Sequence, residues 1–142
     1  SNFFQVDVTP AATRLASHYD QVVFFNTQTS TFNSIQVKNV YNYSDAKAKE
    51  NIQSLSQSLS ILKLLRPVSY NFTDNSDNTK FRKGGDGKEI GLLAQEVEQV
   101  LPNIVLTDPD GNKLINYTSL IAVLIDAVKD LNGKVSALEA RQ

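Results

Sequence analysis

From Tyr117 onward the apolar residues keep a single register. Tyr117, Ile121, Leu124, Val128, Leu131, Val135, Leu138 and then Gln142 are spaced 4-3-4-3-4-3-4. A helix that only covers its own domain needs a broad apolar stripe, whereas a strict 3.5-residue repeat keeps one narrow seam turned toward helices that wind around it. The spacing therefore predicts a coiled-coil helix over about 117–142, with its seam formed by Ile121, Leu124, Val128, Leu131, Val135 and Leu138. Gly133 weakens that helix by ~1 kcal/mol relative to alanine but leaves the register intact. Leu120, Val123 and Ile125 widen the stripe at the N-terminal end, so that half is expected to pack on its own domain. Further on only the seam is apolar, and the C-terminal half is expected to be oligomeric. Mixed Ile, Leu and Val along the seam do not decide between two strands and three.

The other end of the chain has a different period. Residues 1–43 read as short strands and turns: "FFQVDV" alternates in part before Pro10, "QVVFFN" is a brief apolar run expected to be a buried strand, and "STFNSIQVKNVYNY" alternates through Phe32, Ile35, Val37, Val40 and Tyr41. Strands this short cannot close a core alone, so they are expected to intertwine with other copies or to end a longer fibre. The chain has 142 residues and no methionine, and it is expected to be the C-terminal part of a longer protein.

Between these two regions the period becomes helical. Ile52, Leu55, Leu59, Leu62 and Leu65 predict an amphipathic helix from Ser44 that ends before Pro67. "VSYNF" reads as a strand, "TDNSDNTKFRKGGDGKE" as a polar loop, and Ile90–Leu101 as a second helix stopped by Pro102. Asp-Pro-Asp-Gly inside "NIVLTDPDGNKLINY" predicts a β-hairpin.

Several kinds of chemistry are excluded by composition. With 14 Lys+Arg against 15 Asp+Glu there is no basic footprint for nucleic acid or an anionic membrane. No apolar run approaches the ~20 residues of a membrane span. The absence of cysteine removes disulfides and thiolate chemistry, and a single histidine, His18, rules out a multi-histidine metal site. "DPDGN" lacks the spacing of a calcium loop and "KGGDGKE" that of a phosphate loop, so no metal or cofactor is expected. The Asn-x-Ser/Thr triplets at Asn42, Asn71 and Asn116 matter only in a glycosylating pathway. Glu96 and Glu98 are not helical neighbours, so they do not suggest a paired-carboxylate site.

"YNYSDAKAKENI" is left as the candidate for chemistry. Five residues of regular helix would set Ser44 and Lys49 roughly 140° apart. They meet only if Ser44 precedes the helix, with Asp45 near its N-cap and Lys49 in its first turns. A helix N-terminus and burial would then both favour a neutral lysine able to take a serine proton. The ordinary alternative, a capping Ser44 or Asp45 with solvated Lys47 and Lys49, is the stronger one on spacing alone.

From Ser44 to its end the chain resembles the intramolecular chaperone domain of endosialidases and other phage tail spikes, the self-cleaving peptidase S74 family. The resemblance is carried, in order, by "SDAKAKENI", "LLRPVSYNF", "GLLAQEVEQVLP" and "NYTSLIAVLIDAVKDLNGKVSALEA". It implies an α+β architecture: a β-rich fibre-stem end over 1–43, then a small chaperone domain over 44–142 with a long C-terminal coiled coil, in an intertwined homotrimer. It also implies a task, which is to trimerise and fold the upstream part of the same polypeptide and then to cut itself away. Carried over by position, Ser44 is the nucleophile, Lys49 the general base and Tyr43–Ser44 the scissile bond. Asp45, Lys47, Gln95 and Glu96 are implied as supporting or structural residues. The family pattern more often has Arg-Leu where this chain has Lys47-Ala48, and Lys47 keeps the charge without the planar fork. Lys47 also lies nearer Ser44 in sequence and is therefore a rival base, and a permanent, uncleaved trimeric cap is the alternative function. A Ser–Lys hydrolase acting on outside substrates is a third option, disfavoured because no substrate cleft motif accompanies the pair. The implied partners are two further copies and the upstream chain, with no nucleic acid, membrane or small-molecule substrate. The implied location is a virion tail fibre or bacterial surface, after folding and cleavage in the bacterial cytoplasm.

Overall fold

The computed structural model describes residues 4–73 and 84–142. The chain divides into two units, and it first passes from one to the other between Tyr43 and Ser44, with Thr73–Lys80 counted to the first.

The first unit holds two small antiparallel ladders. Strand β1 (Phe4–Val8) pairs with β2 (Thr13–Ser17) in a register that sets Val6 opposite Leu15, and Thr9 and Ala12 close the connecting turn. Strands β3 (Phe25–Asn26) and β4 (Thr31–Phe32) are shorter still, and Phe25 meets Phe32 edge to face. Two expectations are corrected here. "QVVFFN" is not a buried strand, because only its last two residues pair and Val22, Val23, Phe24 and Phe25 are exposed. "STFNSIQVKNVYNY" is not a continuous strand, because pairing ends at Phe32 and Ile35, Val37, Val40 and Tyr41 lie exposed. The reason is the same in both cases. A two-stranded ladder has no second layer to cover its apolar face, and no described residue of this unit is buried.

The second unit is a small mixed α/β domain. Strand β5 (Val68–Tyr70) pairs antiparallel with β6 (Glu89–Gly91), and helix α2 (Ala94–Val100) follows at once. The hairpin β7 (Val105–Thr107) and β8 (Lys113–Ile115) packs against α2. As "DPDGN" predicts, its turn is tight. Asp108 accepts hydrogen bonds from the backbone of Asp110 and Asn112 and from the Asn112 side chain, and Gly111 takes a positive φ of 85°. The Asn112 side chain leads those hydrogen bonds in holding the Asp108 carboxyl below its ordinary range.

Helix α3 (Leu120–Glu139) closes the chain, entered through a 3-10 turn over Tyr117–Ser119 whose N-cap is Asn116. The short helix α1 (Ser58–Leu62) packs across its first half. The core is correspondingly small: Val97 of α2, and Leu120, Val123 and Ala127 along one face of α3. Ser58 is buried with them, and its backbone N–H donates to Asp126 Oδ2 at 3.2 Å. An α3 carboxylate thereby satisfies a donor at the N-terminus of α1, where Gln57 supplies no side-chain cap.

Two helix expectations change. The helix expected from Ser44 to Leu65 shrinks to one 3-10 turn (Ala46–Ala48) and α1, because Asn51 and Gln57 take positive φ and break the path between them. Ile52 and Leu55, counted as part of the apolar face, are exposed. The helix expected from Ile90 starts four residues later, since Glu89–Gly91 is drawn into the ladder with β5. The expected loop over 73–89 lies outside the described residues from 74 to 83.

Candidate functional site

The stretch around Ser44 is organised by one side chain. Asp45 is the N-cap of the 3-10 turn, and its Oδ1 accepts from Lys47 N at 3.0 Å. Ala48 N donates to Asp45 O at 3.1 Å and Lys49 N to Ala46 O at 3.0 Å. This tight turn folds the chain back, so that Lys49 Nζ donates to Ser44 Oγ at 2.6 Å. The other nearby cation is turned elsewhere, with Lys47 Nζ standing 3.6 Å from Asp45 Oδ2.

The contact expected between Ser44 and Lys49 is thus present, but by a different route. Lys49 is the C-cap of the turn in extended conformation rather than a residue of a first helical turn. Both Ser44 and Lys49 are exposed in the single chain. Tyr43, on the other side of the candidate bond, is 78% exposed.

Gln95 and Glu96 lie on α2, away from any contact with Ser44 or Lys49 among those described. Gln95 is exposed. Glu96 instead receives both arms of Arg66, with Nε to Oε1 at 3.2 Å and Nη2 to Oε2 at 2.7 Å. That bidentate pair ties the stretch before β5 to α2. The Arg66 hydrogen bonds hold the Glu96 carboxyl below its ordinary range, and Glu96 in return raises the already high guanidinium value. Nearby, Lys113 of β8 reaches Glu98 at 3.1 Å and Thr107 at 2.8 Å.

The seam residues Ile121, Leu124, Val128, Leu131, Val135 and Leu138 are all at least 43% exposed, and they form a line along α3 beside the face that holds Leu120, Val123 and Ala127. Beyond Ala127 the helix has no buried residue. Ile125, expected to join the packed face, is exposed. Tyr117, expected to open the seam, is engaged by its own domain: its hydroxyl accepts from Leu92 N at 2.8 Å and donates to Leu92 O at 3.3 Å. Leu62, Leu65, Pro67, Leu92, Leu120 and Leu124 line an open apolar groove of about 300 Å³ beside the seam.

Sequence reasoning missed Arg66, Asp126 and the clasp in which the Tyr117 hydroxyl bonds Leu92 close beside Gly91. The signal for Arg66 was its place in "LLRPVSYNF" ahead of the acidic "AQE". Asp126 offered one too, as a charge on the inner side of an otherwise apolar helical stretch. Among the described residues no helix is long and apolar enough to cross a membrane, and no group of three or more His, Cys, Asp and Glu could hold a metal ion.

Fold and site together describe a small α+β domain that carries a serine–lysine contact at its first residues and an exposed apolar seam along its last helix. Residues 44–106 match the peptidase S74 family, described as the chaperone of endosialidase. The chain is also similar to long tail fiber protein Gp37 of Enterobacteria phages K3 and T2, at 32% identity over 124 residues, or 83% of its length. The Gp37 protein of Escherichia phage AR1 is 31% identical over 108 residues. In each case the matched region spans 9% of the relative's length.

Proposed function

We propose that this chain is the assembly chaperone of a phage tail-fibre protein: it trimerises through α3, brings the upstream β segment into register and then releases itself by cutting Tyr43–Ser44. The observation that carries the reading is the 2.6 Å contact of Lys49 Nζ with Ser44 Oγ, at the residue where the family match begins. The similarity to long tail fiber proteins supports the choice of client and a place in the virion. Its partners are two further copies and the upstream part of its own polypeptide, and folding and cleavage take place in the bacterial cytoplasm before the fibre joins the virion.

The physical need is clear. Ordering three chains costs association and conformational entropy, and long-range β pairing is slow. A seam that joins the C-terminal helices raises the effective concentration of the strands to be paired. Removing the template afterwards leaves a fibre held by its unfolding barrier.

The cut follows from the position of the serine. Ser44 Oγ, giving its proton to a neutral Lys49, adds to the Tyr43 carbonyl carbon. The C–N bond then breaks, the proton passes from Lys49 to the Ser44 nitrogen, and Tyr43 is left as an ester on the Ser44 side chain. Water hydrolyses that ester, yielding the Tyr43 carboxylate and restoring the Ser44 hydroxyl.

Mass spectrometry of the expressed chain tests this. Two products divided at Tyr43–Ser44 are expected, and Ser44→Ala should stay whole. An intact wild-type chain in a verified trimer would sink the cleavage reading. The second reading, a permanent cap, draws on the exposure of Ser44 and Lys49 and on Lys47-Ala48 standing at the usual Arg-Leu positions.

A further inference from the structure

Two lysines follow one serine within five residues, and the turn treats them differently. Lys47 is nearer to Ser44 in sequence, yet its ammonium stands 3.6 Å from Asp45 Oδ2 while Lys49 takes the hydroxyl at 2.6 Å. The same Asp45 side chain, through Oδ1, accepts the Lys47 backbone N–H at 3.0 Å and so builds the turn that returns Lys49 to Ser44. The two oxygens of one carboxylate thus face two different groups of the same residue.

Resting on the self-cleavage reading, we propose that Asp45 is the positioning residue that selects the base: one oxygen shapes the turn, and the other keeps Lys47 away from Ser44. A Lys47 side chain released beside Ser44 would donate to the same hydroxyl and displace Lys49 from its 2.6 Å contact. The pairing gives a lysine at position 47 a use of its own, since a flexible ammonium can be drawn aside by a single carboxylate oxygen.

Asparagine separates the two tasks. Asp45→Asn keeps an oxygen that can accept from Lys47 N, because asparagine caps as well as aspartate, but it drops the charge that holds Lys47 Nζ. First-order self-cleavage is followed in the full chain by gel densitometry, with oligomeric mass and circular dichroism recorded for each variant. Asp45→Asn should slow cleavage by about twofold to fivefold, the range of an exposed ion pair. Lys47→Ala placed in the Asp45→Asn background should bring the rate back. Asp45→Ala should lose about a further fivefold with the cap, and Lys47→Ala should not recover that part.

A merely structural aspartate would give losses that Lys47→Ala never restores, and that result overturns the assignment. So does an Asp45→Asn rate equal to that of the wild type. In both cases the wild type still cuts, so the Ser44–Lys49 reading survives while this one falls. A wild type that stays whole as an assembled trimer removes both.

Discussion

Gly91 and Tyr117 show how one missing methyl group can set a local structure. A Cβ built on Gly91 would stand 2.7 Å from the Tyr117 hydroxyl, with Tyr70 Cε1 and the Tyr70 hydroxyl each 3.5 Å away. That hydroxyl is fixed by two hydrogen bonds to Leu92, so it cannot simply swing aside. Gly91→Ala is expected to cost about 1–3 kcal/mol of stability by overpacking, and Tyr117→Phe about 1 kcal/mol through the lost hydrogen bonds. Combined, the two should cost less than their sum, because removing the hydroxyl makes room for the new methyl. Urea midpoints of the four proteins read this out. A plain sum would mean that the clasp is not the reason for the glycine. The sequence places Gly91 inside a helix expected over Ile90–Leu101. Its partner is 26 positions away, a separation that no local pattern expresses.

The elements differ in how legible they are. The hairpin at "DPDGN" is readable because its turn is made by the side chains of the turn itself. The α3 seam is readable because it depends only on period. The first helix misleads, since Ile52 and Leu55 fit the period but have nothing to pack on, and the chain leaves the helical path at Asn51 and Gln57. The Ser44–Lys49 contact is partly legible: spacing requires Ser44 to lie outside the helix, while the tight turn that joins the two depends on how Asp45 bonds. Between elements, the Arg66–Glu96 pair carries a pH dependence. The folded Glu96 carboxyl lies below its unfolded value of about 4.3, so its contribution is full above that value and is lost as pH falls through the folded one. Both groups are partly exposed, so the effect is small. Stability measured between neutral pH and about pH 3 should fall less steeply in Arg66→Met than in the wild type. Parallel curves would count against the pair.

At the scale of the whole molecule, exposed apolar surface is concentrated on α3 and the β segment. Leu131 and Val135 touch no core in the single chain. Replacing both with glutamate should therefore leave the domain folded by circular dichroism while reducing a trimer to monomers by light-scattering mass. A wild-type monomer at micromolar concentration would remove the basis of the assembly reading. The β segment behaves similarly on paper: its ladders were legible as short strands, but what covers them was not, since a single sequence names no neighbour.

Residues 50–56 lie between the Ser44–Lys49 turn and α1, and none of them makes a hydrogen bond among the described residues. Their amides are therefore built to trade hydrogen for deuterium at nearly the rate of an open chain, whereas those inside α3 should resist. This makes the segment an internal clock. If its exchange slows when copies associate, something has settled on it, and the delay measures how tightly. If it stays fast in the finished assembly, the turn that bears Ser44 hangs from the body on an unfastened cord.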